Sequence, residues 1–398
     1  MRITQGMEQA QFLAAINQLE AGITQTQQQV ASGVNFSTAS QNPVAAGQVA
    51  NYKQVLALTQ QYATNGSGAQ SSLNIEGNAL SQIQSSLQSL RDLALQGGSG
   101  SASAQNLSAL ATQAQQIQQT LLSLANTQDG NGNYIFAGYD TGTAPFALTA
   151  TGATYAGDQG QRQVQIGPAQ TVVVGDNGNF VFNQIKTGNG SFTVTAGAGN
   201  TGSGLIGASS VTNPATYAPG DFSIAFTSPA TYQIKNAANT VVYSGNYTAG
   251  QAISYGGWQV TLSGTPATGD TFSIAPSTDQ SLFTTVQNLV TALQQGAASG
   301  TNGSVALSNS LSSAIENIDQ ALTQAQNVQA SVGARLNSLT TQQSVMTAQQ
   351  TQLQQNISNL QSLDYASAIT TLDQQNTTLS AALQAYSLTQ GLSLFKYL

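Results

Sequence analysis

Proline placement is the feature of this 398-residue sequence that most constrains its fold. The eight prolines stand at positions 43, 145, 168, 214, 219, 229, 266 and 276, so residues 44–144 and 277–398 contain none. Proline lacks a backbone N–H and clashes with the preceding helical turn, which excludes it from helix interiors. The two proline-free stretches therefore predict long helices. The middle, which also holds the single Trp258, predicts a β-rich insertion.

Apolar residues in both proline-free stretches alternate spacings of three and four residues. Such stripes form narrow seams between packed helices, as in a coiled coil, although an ordinary helix-bundle core remains an alternative. Because both stretches share the period, we expect them to pair with each other. The stripes include Phe12, Ile16, Leu19, Ile23; Leu80, Ile83, Leu87, Leu90, Ala94; Leu107, Leu110, Ala114, Ile117, Leu121, Leu124; Ile315, Ile318, Leu322, Ala325; Val332, Leu336, Leu339; and Leu353, Ile357, Leu360.

Turn residues divide these stretches into elements. We expect the first helix to end at Ser32–Gly33, and Asn42 to cap a second helix that begins at Pro43. The glycine-rich runs 97–100 and 300–303 predict further helix ends. Within the insertion, a turn at 129–132 is expected to feed a first strand at 134–139, and segment 186–220 is expected to form loose loops. Alternating residues predict further strands at 163–166, 171–174, 222–226, 258–262 and 271–274.

Composition argues against catalysis and cofactors. The chain has no His and no Cys, and only 6% of its residues are charged. It therefore lacks the usual general base, the thiolate nucleophile and the common zinc ligands. Asp158 and Asp176 could serve as a glycosidase-type carboxylate pair or contribute to a calcium site, but both lie in Gly-flanked turns where Asp is common. We predict no catalytic, cofactor-binding or metal-binding residue.

Charge and hydropathy also bear on partners. A net charge of −7 with eight scattered cations disfavours nucleic acid. There is no run of 18 apolar residues, and the polar helix faces carry Gln and Ser rather than Lys and Arg, so we predict no membrane contact. The amino terminus lacks an apolar h-region and a small-residue cleavage site, so we expect no cleavable signal peptide.

Several segments resemble bacterial flagellins, and within the flagellin family the hook–filament junction branch. The similar segments are ASG at 31–33, SQNPVAA at 40–46, LANTQDGNGNYIFAGY at 124–139, VGARLN at 332–337 and the carboxyl-terminal stretch 363–398. The family often has acidic residues where Gln41 and Asn42 stand. The likeness is specific over about 1–165 and 280–398 and weak over 186–260.

The resemblance implies an α+β multidomain fold, in which a long antiparallel helical bundle or coiled coil from both chain ends carries an inserted β-rich outer domain. We expect terminal segments 1–45 and 365–398 to become ordered on assembly. Residues 46–145 and 280–364 would form a helical rod with a short β-hairpin, and 146–279 the outer domain.

The same resemblance implies an extracellular structural subunit at the hook–filament junction, exported through the flagellar type III pathway. Implied partners are copies of itself in a ring, the hook-side junction protein, flagellin and a cytoplasmic export chaperone. A filament subunit and a secreted adhesin-like surface protein remain alternatives. The outer domain would carry any surface binding.

The candidate subunit interface consists of apolar residues from both chain ends. Placement in an intramolecular core is the alternative. The candidates are Phe12, Ile16, Leu19, Ile23, Leu372, Leu379, Leu383, Tyr386, Leu388, Leu392 and Phe395.

Assembly should respond weakly to ionic strength, because few Lys/Glu pairs flank the seams and salt bridges between helices cannot select partners. The dissociation constant for subunit addition, measured at low and moderate salt, tests this expectation. A tenfold rise in that constant would contradict it.

Overall fold

The computed structural model describes residues 5–99, 102–298 and 304–391. Helices are α1 (Gln5–Ser32), α2 (Pro43–Gly97), α3 (Ala104–Ala125), α4 (Leu282–Ala298), α5 (Val305–Gln361) and α6 (Tyr365–Gly391). Strands are β1 (Phe146–Thr149), β2 (Gly152–Tyr155), β3 (Gln163–Gly167), β4 (Gln170–Val173), β5 (Ile185–Lys186), β6 (Phe192–Ala196), β7 (Leu205–Val211), β8 (Phe222–Ser228), β9 (Thr231–Asn236), β10 (Val241–Asn246), β11 (Ala252–Tyr255), β12 (Trp258–Ser263), β13 (Thr271–Pro276) and β14 (Asp279–Gln280). A single π-helical turn, Asn179–Asn183, follows β4.

The chain divides into two compact units. The larger unit is Asn65–Thr341, and the smaller contains the chain through Thr64 together with the chain from Gln342. Helices α2 and α5 contribute residues to both units.

Helix pairing in the larger unit confirms that the two flanks meet. The Gln84 side chain on α2 donates to Gln329 Oε1 on α5 at 2.8 Å, and Arg91 Nε donates to Asp319 Oδ1 at 2.8 Å. From the first contact to the second, the residue number rises from 84 to 91 on α2 and falls from 329 to 319 on α5, so the two helices run antiparallel. Helices α3 and α4 pack against each other and complete the helical layer.

The predicted stripes supply the core of this unit. Leu80, Leu87, Leu107, Ile318 and Leu339 are all fully buried in one cluster. Burying each such side chain contributes about 1.5–3 kcal/mol of favourable transfer free energy.

Predicted helix boundaries near the amino terminus are confirmed. Helix α1 ends at Ser32, and Gly33 adopts a φ of +70°, a conformation that glycine takes without a steric penalty. Asn42 Oδ1 accepts the backbone N–H of Ala45 at 3.1 Å and caps α2. Residues 300–303 lie outside the described ranges.

The insertion has two parts. The first packs into the helical core, and the second has a core of its own. The hairpins β1–β2 and β3–β4 pack into the helical core through Phe146, Ile166 and Val172. Strands β6 to β13 form a separate sandwich with its own core around Trp258. One sheet has the order β10-β9-β8-β13-β6 and the other β11-β12-β7. Strand β5 precedes the sandwich in the chain and β14 follows it. The two strands pair as a short ribbon, in which Lys186 and Asp279 form an ion pair at 2.7 Å.

Two expectations for the insertion were wrong. Residues 134–139 do not form a strand. Tyr134 makes only an isolated bridge to Gln128, and Gly138, with a φ of +78°, turns the chain. Segment 186–220 is not loose loops, because it contains β6 and β7. Phe192 and Val194 of β6 are buried, and pairing with β13 overrides the loop-like local composition.

Replacing Leu87 with alanine should lower the free energy of unfolding by ~2–5 kcal/mol, because it leaves a cavity in the helical core. Leu95→Ala on the same helix is the matched control, since Leu95 is 48% exposed. It should change the free energy by less than ~0.5 kcal/mol. Urea unfolding followed by circular dichroism measures both, and equal losses would contradict the assigned packing.

Candidate assembly interface

Helices α1 and α6 bring residues from the two ends of the chain together. The Phe12 ring stacks on the Tyr386 ring, with centroids 5.1 Å apart and planes 13° apart. Further along, Thr26 Oγ1 donates to Gln375 Oε1 at 3.0 Å. The pair is therefore antiparallel.

All four predicted residues of α1 lie on the face that packs against α6. Ile16 and Ile23 are each only 7% exposed, and Phe12 and Leu19 are half-buried. Much of this stripe is therefore already covered within the chain, as the intramolecular alternative anticipated.

The predicted residues of α6 separate into two groups. Leu372, Leu379 and Tyr386 are half-buried, whereas Leu383 and Leu388 are 47% and 70% exposed. The other two candidates, Leu392 and Phe395, lie outside the described residues.

Two polar residues in the seam were missed by the apolar pattern. Thr26 follows Ile23 by three residues, and Gln375 lies between Leu372 and Leu379 at the same kind of spacing. Thr26 is buried and hydrogen-bonds to Gln375. A polar pair inside an apolar seam fixes the register of two helices, because a shift would leave both groups unpaired. The sequence signal that could have identified them is their spacing of three or four residues from the neighbouring apolar residues of the stripe.

The helix pair leaves apolar side chains uncovered. We call these residues the exposed flank, and each is 45–70% exposed: Leu13, Tyr365, Ile369, Leu383 and Leu388. Ile369 follows Ala368, and Leu383 follows Ala382. Each alanine lies four residues before a residue of the α6 seam. Ile369 and Leu383 lie fourteen residues apart, which at about 3.5 residues per turn places them on one face of α6, and an apolar helix face of this kind is typical of a surface that packs against another helix.

The connection between α1 and α2 packs against and hydrogen-bonds to the end of α5. Phe36 forms a small buried cluster with Val49 and packs against Ile357. The backbone N–H of Asn35 donates to the carbonyl of Gln361 at 2.7 Å. These contacts tie the α1–α2 connection to the end of α5.

The two carboxylates considered for catalysis have structural partners. Asp158 accepts the backbone N–H groups of Tyr139, Asp140 and Gly160 at 2.6–3.0 Å, and these bonds, that of Tyr139 foremost, lower its pKa. Asp176 is buried and forms a bidentate ion pair with Arg335 at 2.9 and 3.0 Å. Its burial was not anticipated, nor was its contact with Glu76.

The described residues offer neither a metal site nor a membrane-spanning helix. They contain no group of three or more Asp and Glu side chains placed to hold a metal ion. Nor does any helix among them have the length and apolar character needed to cross a membrane.

Cysteines introduced together at Gly22 and Gln375 should cross-link within one chain through a short bismaleimide. A Cβ atom at Gly22 would lie 3.3 Å from Gln375 Nε2, and the chain has no other cysteine. Denaturing electrophoresis should show a cross-linked monomer.

Glu20→Cys combined with Gln375→Cys is the control, because Glu20 is exposed on another face of α1. It should cross-link poorly. Covalent dimers from the first pair would contradict the intrachain seam.

Comparison with known proteins places these features in a family. Residues 3–141 match the bacterial flagellin N-terminal helical region, and residues 315–398 match the C-terminal helical region. Flagellar hook-associated protein 3 of Salmonella typhimurium is 35% identical over 175 residues, 44% of this chain. The chain thus spans 55% of the length of that curated relative.

Solved structures cover more of the chain. The crystal structure of Xanthomonas campestris FlgL is 32% identical, with a TM-score of 0.71, and the match covers 77% of this chain and 99% of that one. The flagellar junction protein FlgL of Legionella pneumophila is 30% identical, with a TM-score of 0.72, covering 79% and 100%. With its paired terminal helices and inserted β-rich region, this chain belongs to the FlgL (flagellar hook-associated protein 3) family.

Proposed function

We propose that this chain is a structural subunit of the bacterial flagellum that forms the junction between hook and filament. The observation that carries this proposal is the terminal helix pair, α1 with α6, whose seam is closed but whose exposed flank is uncovered. Membership in the FlgL family supports the location, since one relative is named a flagellar junction protein. The role is assembly rather than catalysis.

The exposed flank is the surface that neighbouring subunits cover. An isolated pair of helices gains little stability from its own contacts, and packing by neighbours supplies the rest. On assembly, other subunits bury Leu383 and Leu388 and the outward parts of the half-buried candidates, which are Phe12, Leu19, Leu372, Leu379 and Tyr386. At least half of the candidate interface residues would then lose surface to another subunit.

The partners follow from the position at the junction. Copies of this chain form a ring, with the hook-side junction protein on one side and flagellin on the other. Before export, a cytoplasmic chaperone holds the carboxyl-terminal stripe, which keeps apolar residues from associating early. The subunit acts outside the cell and leaves it through the flagellar type III pathway.

The three-part division of labour is part of the proposal. Segments 1–45 and 365–398 assemble with neighbours, 46–145 and 280–364 act as the rod, and 146–279 form the outer domain. Residues 146–174 pack into the helical core, whereas the sandwich of β6 to β13 has a core of its own and contacts α5 through buried hydrogen bonds of Asn309 with Ile206 and Gly204.

Deletion of the gene in its host tests the role. The proposal expects completed hooks without filaments and flagellin shed into the culture medium. Bare hooks with no flagellin in the medium would identify the filament subunit instead, and normal filaments would contradict a flagellar assembly role.

Leu383→Gln should impair assembly in the complemented deletion strain. The substitution places an amide where a neighbour would bury an apolar side chain, at a cost of about 1–3 kcal/mol per contact. We expect shorter or fewer filaments and more flagellin in the medium.

Leu95→Gln is the matched control, because Leu95 has nearly the same exposure but lies on α2 within the larger unit. It should leave filaments normal, and thermal unfolding should show that both variants fold. Identical filament counts for the two variants would contradict the assigned surface.

A further inference from the structure

A buried group of charged side chains connects the insertion to both long helices. Asp176 lies in segment 174–178, between β4 and the π-helical turn. Its backbone N–H donates to Glu76 Oε1 on α2 at 3.0 Å. Its carboxylate accepts both terminal nitrogens of Arg335 on α5, at 2.9 and 3.0 Å, and Gln161 Nε2 at 3.2 Å.

Within this group, no positively charged side chain forms an ion pair with Glu76. Arg335 is committed to Asp176 by two hydrogen bonds, whereas Glu76 is 1% exposed and its Oε2 has no hydrogen-bond partner. Arg162 lies beside Gly175, the residue before Asp176, and its Nη2 is also buried without a partner, but Arg335 is the cation whose charge acts on Glu76. An ionised Glu76 would therefore be a buried anion beside a second carboxylate, which is strongly unfavourable.

The protonation of Glu76 reflects this environment. Burial, the largest cause, and the negative charge of Asp176 together raise its pKa from 4.5 to about 8. The hydrogen bond from the Asp176 N–H and the positive charge of Arg335 oppose the increase without cancelling it. Glu76 is thus a neutral carboxylic acid at pH 7.

We propose that Glu76 is a proton-dependent lock: its neutral carboxyl group holds segment 174–178 against α2 and α5, and loss of the proton loosens that segment. The proposal concerns this chain's own conformation and does not depend on the junction role.

The direction of the pH effect follows from linkage. In the closed form Glu76 retains its proton up to about pH 8, whereas in an opened, hydrated form it would titrate near 4.5. Between these values only the opened form releases the proton, so the equilibrium constant for opening rises about tenfold per pH unit. Above about pH 8 both forms are ionised and the constant levels off.

The sequence makes a direct titration practical, because the chain contains four glutamates: Glu8, Glu20, Glu76 and Glu316. A full-length sample labelled at the glutamate side-chain carboxyl carbon gives one NMR signal for each, and Glu76→Gln identifies the signal of interest. Hydrogen exchange of backbone amides in 174–183, corrected for the intrinsic pH dependence, reports opening. Glu20→Gln is the control, since it makes the same chemical substitution at an exposed position.

The proposal expects the Glu76 signal to titrate near pH 8 and protection of 174–183 to fall about tenfold per pH unit between pH 5 and 8. Glu76→Gln should remove that dependence, whereas Glu20→Gln should retain it. Titration of Glu76 near its ordinary value, or protection that does not change with pH in the unmodified chain, would overturn the proposal. Both readouts come from the unmodified chain, so they stand even if Glu76→Gln folds poorly.

Discussion

Packing of apolar seams between helices that come from opposite ends of the sequence is the interaction on which the rest of the structure depends. In the larger unit, α2 pairs with α5, and the buried side chains of α3 and α4 join the same cluster. In the smaller unit, α1 pairs with α6. The insertion depends on this arrangement because its first hairpins bury Phe146 and Ile166 in the helical core. The sandwich is joined to the helical part by the ribbon of β5 and β14 and by buried hydrogen bonds of Asn309 on α5 with Ile206 and Gly204.

Polar contacts set the register that apolar seams alone leave open. With 6% of its residues charged, the chain relies mainly on amide and hydroxyl groups for this purpose. The hydrogen bond between Thr26 and Gln375 fixes the register of α1 against α6. The one between Gln84 and Gln329 does the same for α2 and α5. Hydrogen bonds between neutral groups are screened little by salt, so this way of setting register depends little on ionic strength. In the described residues, the ion pair between Arg335 and Asp176 is the one whose side chains are mostly buried.

The sequence predicted the helical part of the fold well and the insertion less well, for physical reasons. Periodicity and proline exclusion are local properties, so the helix boundary at Pro43 and the buried stripe through Leu87 were predictable. Strand β6 was not, because its stability comes from pairing with β13, some 80 residues away. Glu76 was missed although it follows Leu73 by three residues and precedes Leu80 by four, which is a seam position. An acid at such a position is itself a signal of a buried polar site. At the candidate interface, the stripe was predictable, but which of its members α6 already covers required the three-dimensional structure.

We infer that α1 and α6 stay paired within one chain and that neighbouring subunits cover the exposed flank. A cryo-electron microscopy map of the assembled junction, at side-chain resolution, tests this most directly. We predict that Phe12 still stacks on Tyr386 of the same chain and that Leu383 and Leu388 are buried against a neighbouring subunit. Pairing of α1 with another subunit's α6, or a solvent-exposed Leu383 in the assembled junction, would contradict the account.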